Sequence, residues 1–248
     1  MNDPELYNVA NSLQKKAAVQ CLNEYAKKIH WKNIGDSAID LGCGDGSVTV
    51  ILKKYMPSNY KRLVACDISE KAVKYANEHH SDEATMFRVM DIQEDLPEEM
   101  NSAFHHVFSF YALHWIRNQE KAFRNIYNLL EEGGDCLLTF LGYTPIYSVY
   151  TNLAQCSKWK SWLKDVNTFI SPYHDMSLIK GIVKILADNC IRLSFICHYV
   201  LDYHSMPFLS MECHRLPNLS KSTIMRSMID HFDTIVIADL GPWKTYLF

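Results

Sequence analysis

The run Ser37-Ala38-Ile39-Asp40-Leu41 is short and apolar, and it stops against Gly42-Cys43-Gly44-Asp45-Gly46. Beyond the glycines, Val48, Ile51, Leu52 and Tyr55 recur at i, i+3, i+4 and i+7, so the order is strand, glycine turn, helix. This unit constrains the fold because a helix that starts directly after a strand must pack back onto the sheet, and repeats of the unit give right-handed crossovers. It does repeat. Arg62-Leu63-Val64-Ala65-Cys66 closes on Asp67, and Ser69-Glu70 then supplies a cap and a first-turn acid before Ala72, Val73 and Ala76. Met86-Phe87-Arg88-Val89-Met90 closes on Asp91, and residues 107–111 form a fourth, strongly β-prone run. Asn118 is placed to cap a helix with the stripe Ala122, Phe123, Ile126, Leu129 and Leu130, and Gly133-Gly134 reads as its left-handed stop before a fifth strand at 135–141. Strands alternating with amphipathic helices over 37–141 predict an α/β fold with a doubly wound, Rossmann-like parallel sheet.

The flanks are less periodic. Residues 1–36 read as mostly helical, with Leu13, Ala17, Val19 or Gln20, Leu22 and Tyr25 near helical spacing, lying over the ligand edge of the sheet or on a flank. Tyr143, Tyr147, Tyr150, Trp159, Trp162, Phe169 and Tyr173 crowd one segment, which predicts a helical cap after the fifth strand. Further on, the pattern predicts a helix at about 179–189, a strand at 193–201 and a helix at about 221–233.

With 248 residues, 48% of them hydrophobic and 21% charged, the chain has the size and apolar content of one globular domain. A net charge of -3 gives no electrostatic pull toward nucleic acid or an anionic membrane. The eight cysteines form no C-x-x-C pair, so they read as reduced thiols, with Cys43 and Cys66 acting as small hydrophobes. The N-terminus lacks a basic and apolar leader pattern, and the longest uncharged apolar run, 107–116, is about half of the ~20 residues that span a bilayer. A cytoplasmic protein without a membrane span is expected. Cys197-His198, His204 and Cys213-His214 match no closed zinc spacing, so no metal is expected, and His79-His80 and His105-His106 read as solvated loop residues.

The strand ends carry Asp40, Asp67 and Asp91 in succession, at the edge where open α/β sheets bind ligands. A dinucleotide fingerprint would need glycine at residue 47, which is Ser47, and no Gly-Lys-[Ser/Thr] follows to make a phosphate loop. The turn Asp40-Leu41-Gly42-Cys43-Gly44-Asp45-Gly46 resembles the first motif of class I S-adenosyl-L-methionine-dependent methyltransferases. That resemblance implies this cofactor, converted to S-adenosyl-L-homocysteine, with Asp40, Gly42, Gly44, Asp67, Ile68, Asp91, Ile92, Ser109 and Phe110 as its binding set. Asp67 lies about 20 residues past the turn, the spacing of a ribose acid. Asp91-Ile92 resembles the family's adenine clamp.

The acceptor is the next question. Ser109-Phe110-Tyr111-Ala112 stands where base-methylating enzymes carry Asn/Asp-Pro-Pro-aromatic, and the chain shows no dedicated base there. A carboxylate, with a pKa near ~4, needs none, because it is already ionised at pH 7. Ser12-Leu13-Gln14-Lys15-Lys16, residues 108–116 and Phe169-Ile170-Ser171-Pro172-Tyr173-His174-Asp175 resemble the insect juvenile hormone acid O-methyltransferases. The resemblance implies Gln14 and Trp115 as donors that hold the substrate carboxylate, and Tyr111, His114, Tyr147, Ile170 and Tyr173 as walls of an isoprenoid pocket. It divides a single 1–248 domain into an N-terminal helical segment (1–36), a cofactor-binding core (37–141), a helical substrate cap (142–190) and a C-terminal strand/helix region (191–248). The expected partner is a small hydrophobic acid, farnesoic acid or juvenile hormone acid, and a homodimer is compatible with it. Two alternatives stay open: a methyltransferase of another small carboxylic or fatty acid, and a catalytically inactive protein that only binds the cofactor. The resemblance fades after about residue 175. This class adds two strands past the fifth, one antiparallel; 193–201 is read as one, and 234–238 or 245–248 as a stub of the other, or else the sheet edge is open.

Overall fold

A computed structural model describes residues 3–32, 35–143, 145–168, 170–172, 192–199 and 208–213. In chain order its elements are α1 (Pro4–Ala10), α2 (Ser12–Tyr25), β1 (Ser37–Leu41), α3 (Ser47–Lys53), β2 (Arg62–Asp67), α4 (Glu70–His80), β3 (Thr85–Val89), β4 (Phe104–Phe110), α5 (Gln119–Leu129), β5 (Leu130–Tyr143), α6 (Pro145–Gln155), β6 (Arg192–Tyr199) and β7 (Phe208–Cys213). Among the described residues the sheet has seven strands in the order β3-β2-β1-β4-β5-β6-β7. Pairs from β3 through β6 are parallel, and β7 runs antiparallel to β6. The fold is the Rossmann-like α/β class, and its strand order reverses between β1 and β4, the place where such sheets leave a crevice.

Strand residues alternate between two apolar layers. Ile39, Val64, Val107 and Leu138 pack toward Phe123, Ile126 and Leu129 of α5. Ala38, Leu63, Phe108 and Leu137 pack toward Ala18, Cys21, Leu22 and Tyr25 of α2 and Leu52 of α3. This two-sided burial is what a parallel sheet covered by helices requires. Caps set the helix starts: Ser69 accepts from the Ala72 N–H and Asn118 from the Lys121 N–H. No helix among the described residues is long and apolar enough to cross a membrane.

Several expectations are corrected. Leu13 is 53% exposed, because the buried stripe of α2 runs through Ala17, Ala18, Cys21, Leu22 and Tyr25 instead. Gly133-Gly134 does not stop α5: the helix ends at Leu129, and both glycines lie inside β5. There the register slips between Phe104/Leu130 and His106/Asp135, and Gly133 at φ +80 lets the strand bulge without a side-chain clash. A Cβ on Gly134 would sit 2.9 Å from the His105 carbonyl oxygen, so the second glycine is needed for close approach. The antiparallel strand is β7 at Phe208–Cys213, where no strand was expected; 234–238 and 245–248 lie outside the described residues, as do the helices expected at 179–189 and 221–233. His79 and His80 form the last turn of α4 and are not in a loop.

His105 and His106 are also misplaced by the sequence reading, since both lie on β4. His106 is 2% exposed, with Nδ1 2.6 Å from Asp135 Oδ1 and Nε2 2.9 Å from Asp36 Oδ1. Burial pushes the pKa of its ring down, but the carboxylates of Asp135 and Asp36 outweigh that and hold it above the ordinary histidine value. His105 Nε2 faces Glu131, which Lys32 also reaches, and His105 Nδ1 is bonded by Ser37. This polar cluster plugs the amino ends of the strands.

Candidate active site

At the carboxyl ends of the strands a cavity of about 480 Å³ opens at the β1/β4 crevice. The glycine turn forms its floor. Gly42, Gly44 and Gly46 have φ of +78, +56 and +81, a region that glycine enters without strain. A Cβ on Gly42 would come within 2.1 Å of Ala112 Cβ, so the turn after β1 and the segment after β4 fit only if residue 42 has no side chain.

Asp67 closes the turn from the side. Its Oδ2 accepts the Gly44 N–H at 2.9 Å and its Oδ1 the Ser69 N–H at 2.9 Å. A carboxylate has about four acceptor directions, so the two that these amides leave open are available to a ligand at the cavity wall. Asp91, past the end of β3, takes both the backbone N–H (2.9 Å) and the side-chain N–H (3.3 Å) of Gln93 on Oδ1. Ile92, 8% exposed, is fixed to the apolar core beneath it.

Trp115 ends a short 3₁₀ turn, Leu113–Trp115, and its indole is 60% exposed at the cavity mouth. Gln119 Nε2 donates to the carbonyls of Leu113 and Ile116, both at 2.8 Å, which holds the turn from below. Tyr111 lines the same wall with φ +59, a left-handed backbone that costs a tyrosine of order 1–3 kcal/mol and is held by its N–H bond to the Thr139 carbonyl at 2.7 Å. Burial raises the pKa of its phenol well above the ordinary value, so it stays protonated.

Of the expected site residues, Gly42, Gly44, Asp67, Ile68, Asp91, Ile92, Tyr111 and Trp115 line this cavity. Asp40, Ser109 and Phe110 do not. Asp40 is 1% exposed and bonded by Thr49 Oγ1 at 2.6 Å; burial, aided by the Asp67 charge, lifts its pKa to about 7. Ser109 Oγ donates to the Leu41 carbonyl at 2.8 Å, and Phe110 packs in the α2 layer. Gln14 is half-buried on α2 and does not line the cavity. His114, Tyr147 and Ile170 are buried and do not line it, with His114 Nδ1 accepting the Leu141 N–H at 3.3 Å, and Tyr173 lies outside the described residues. Cys43 and Cys66 are buried thiols, Cys66 pushed up to about 12 chiefly by burial, so neither is a nucleophile at neutral pH.

Sequence reasoning missed Tyr7 and Gln93, both on the wall. Asp45 brings Tyr7 there: it receives Asn8 Nδ2 at 2.7 Å, Asn11 Nδ2 at 3.3 Å and Ser47 Oγ at 2.7 Å, fastening α1 to the glycine turn. Tyr7 carries no motif of its own, but Asp45, the acid inside the glycine run, was a visible signal.

The family described as "Methyltransferase domain" matches residues 39–138, from β1 into β5. The chain is 63% identical over 175 residues to the juvenile hormone acid O-methyltransferase of Bombyx mori, covering 71% of this chain and 63% of that protein. Residues 39–138 thus resemble a methyltransferase domain. The chain's match to the juvenile hormone acid O-methyltransferase of Drosophila melanogaster is 45% identical over 178 residues, 70% of this chain and 60% of the relative. It thus spans under two thirds of the length of either relative. In fold it is similar to Haemonchus contortus phosphoethanolamine N-methyltransferase 2, solved with S-adenosylhomocysteine, at a TM-score of 0.50 and 21% identity over 68% of this chain and 36% of the other. Apart from Tyr7, the residues that line the cavity all fall within the matched segment 39–138.

Proposed function

We propose that this protein methylates the carboxylate of a small hydrophobic acid, farnesoic acid or juvenile hormone acid, using S-adenosyl-L-methionine. The single observation that carries the reading is one cavity wall bearing Asp67, Asp91-Ile92 and Trp115, in a chain 63% identical to a protein named juvenile hormone acid O-methyltransferase. The residues suit the cofactor: the side-chain-free glycine floor lets a ligand meet the backbone, Asp67 has acceptor directions left for ribose hydroxyls, and Asp91 and Ile92 pair an acceptor with an apolar face for adenine. When bound, the cofactor supplies a methyl on a positive sulfonium, so the acid's oxygen gains the methyl as the C–S bond breaks and the opposite charges cancel.

The chain's residues then have two tasks. The Trp115 N–H, a neutral donor, orients the carboxylate without drawing off its charge as arginine would, whereas Gln14, off the cavity wall, carries no part of this reading. Leu113, Ile116, Ile68 and Met90 line the cavity with apolar surface that strips water from the reacting charges. No general base is required, because the acid is ionised at neutral pH. The test is release of S-adenosylhomocysteine on farnesoic acid and on acids of other chain lengths. Turnover is expected with the isoprenoid acids, and Trp115→Ala should lower kcat/KM at least about tenfold. Wild-type turnover that Trp115→Ala leaves unchanged rules out the carboxylate assignment, and no turnover on any acid rules out the reading.

A further inference from the structure

The two halves of this cavity are joined by one side chain. Gln93 lines the cavity and bonds both to the adenine-side acid and to the segment directly after the turn that carries Trp115. Its backbone N–H and its Nε2 donate to Asp91 Oδ1, at 2.9 and 3.3 Å. Its Oε1 accepts the Arg117 N–H at 3.0 Å and the Asn118 N–H at 2.9 Å, directly past the Trp115 turn. The loop that carries Gln93 is itself anchored: buried Asn125 of α5 donates to the carbonyls of Ile92 at 2.7 Å and Glu94 at 2.6 Å. The Trp115 turn is therefore held below by Gln119 and at the side by Gln93. The backbone amides of residues 117 and 118 sit at the entry to α5, where the helix itself offers them no carbonyl, so a side-chain acceptor is what satisfies them.

We propose that Gln93 is a positioning residue that sets the Trp115 turn for the acid substrate by tying it to the cofactor-side acid Asp91. The proposal rests on the functional reading above. Its chemistry separates by atom: the Oε1 arm fixes the acid-binding turn, and the Nε2 arm buttresses Asp91. Gln93→Leu removes both arms. Gln93→Glu keeps an oxygen acceptor for the Arg117 and Asn118 amides but sets a second negative charge against Asp91.

The experiment measures KM for farnesoic acid, kcat, and Kd for S-adenosylhomocysteine in the wild type and both variants of the full chain. Gln93→Leu is expected to raise the KM for the acid about tenfold with a smaller change in kcat, the size of losing a pair of hydrogen bonds. Gln93→Glu is expected to hold that KM within about twofold while weakening S-adenosylhomocysteine severalfold, a split that a merely structural residue would not produce. A KM in Gln93→Leu that stays within about twofold of wild type overturns the proposal. So does a KM in Gln93→Glu that rises as far as in Gln93→Leu, and this second comparison keeps the test decisive if the leucine variant folds poorly. A wild type that binds S-adenosylhomocysteine but turns over no acid removes the functional reading and this proposal together, whereas active wild type with indifferent variants removes this proposal alone.

Discussion

The two ends of the sheet both collect acids, and they use them in opposite ways. At the carboxyl ends, Asp67 accepts the N–H groups of Gly44 and Ser69, Asp91 those of Gln93, and both face an open cavity. At the amino ends, Asp36 and Asp135 clamp the buried ring of His106, and Glu131 meets His105 and Lys32. An acid whose partners are loop amides keeps capacity for a ligand, while an acid whose partner is a buried cation has spent it on the fold. Asp40 shows that position alone does not decide. It sits at the ligand end of β1, yet it is sealed beneath the turn with Thr49 as its partner.

The largest effect should come from breaking the amino-end cluster. His106→Leu leaves two buried carboxylates facing each other without a cation, a change that costs about 3–5 kcal/mol. Urea unfolding should show that loss, while the folded variant still binds S-adenosylhomocysteine normally, because the cluster lies across the sheet from the cavity. A loss below about 1 kcal/mol would mean that the cluster is not a structural clamp. At the other end the ranking reverses, with binding hit harder than stability. Gly42→Ala drives a methyl into Ala112, which has no flexible end to move aside, and also strains a positive φ. Stability should fall by about 1–3 kcal/mol, with S-adenosylhomocysteine binding largely lost by calorimetry. Asp67→Ala should fold nearly as well as wild type and weaken the same ligand ten- to hundredfold, the scale of losing bonds to a charged acceptor. Binding unchanged in that variant would remove Asp67 from the site.

The strand-turn-helix units of the core were legible because short apolar runs and period-3.6 patterns alternate from Ser37 to Leu129, and glycine and cap residues mark the joints. Asp67 could be read from its spacing past the turn, while Asp91 and Trp115 were singled out by resemblance to known families. The Gly133-Gly134 bulge was not, because a glycine pair after a helical stripe is equally good chemistry for a stop and for a strand that must pass close to the His105 carbonyl. The His106 clamp was hidden for a different reason. Its partners Asp36 and Asp135 are 70 and 29 residues away in sequence, and only strand pairing brings them to one ring. Tyr7 and Gln93 likewise reach the cavity through tertiary bonds to Asp45 and the Trp115 turn that no local pattern encodes.

The contrast between the two ends can be sharpened by pH, because one buried group at each end binds a proton more tightly in the folded chain. Asp40, raised to about 7 mainly by burial, holds its proton in the native state from about pH 4 to 7 while the unfolded chain has released it. Its contribution to stability is therefore present in acid and fades as pH rises through that window, by at most about 1.4 kcal/mol per pH unit for one proton. His106 is desolvated, which favours loss of its proton, but its two carboxylates win, so its contribution is complete below about pH 6.5 and is lost only as pH rises through its elevated native value. The acids that are lowered by neighbours, such as Asp82 beside Lys53, act in the opposite sense and only toward lower pH, so measurements between pH 5 and 8.5 avoid them. Across that range Asp40 and then His106 should lower wild-type stability with rising pH in two overlapping stages, opposed toward pH 6.5 by His105 and His80, whose rings burial holds below the ordinary histidine value. Asp40→Asn, which keeps the size and an acceptor for Thr49, should flatten the stage below pH 7 and leave the later one intact. If urea midpoints for Asp40→Asn instead track the wild type through pH 5–7, the buried acid at the ligand end carries no linked proton.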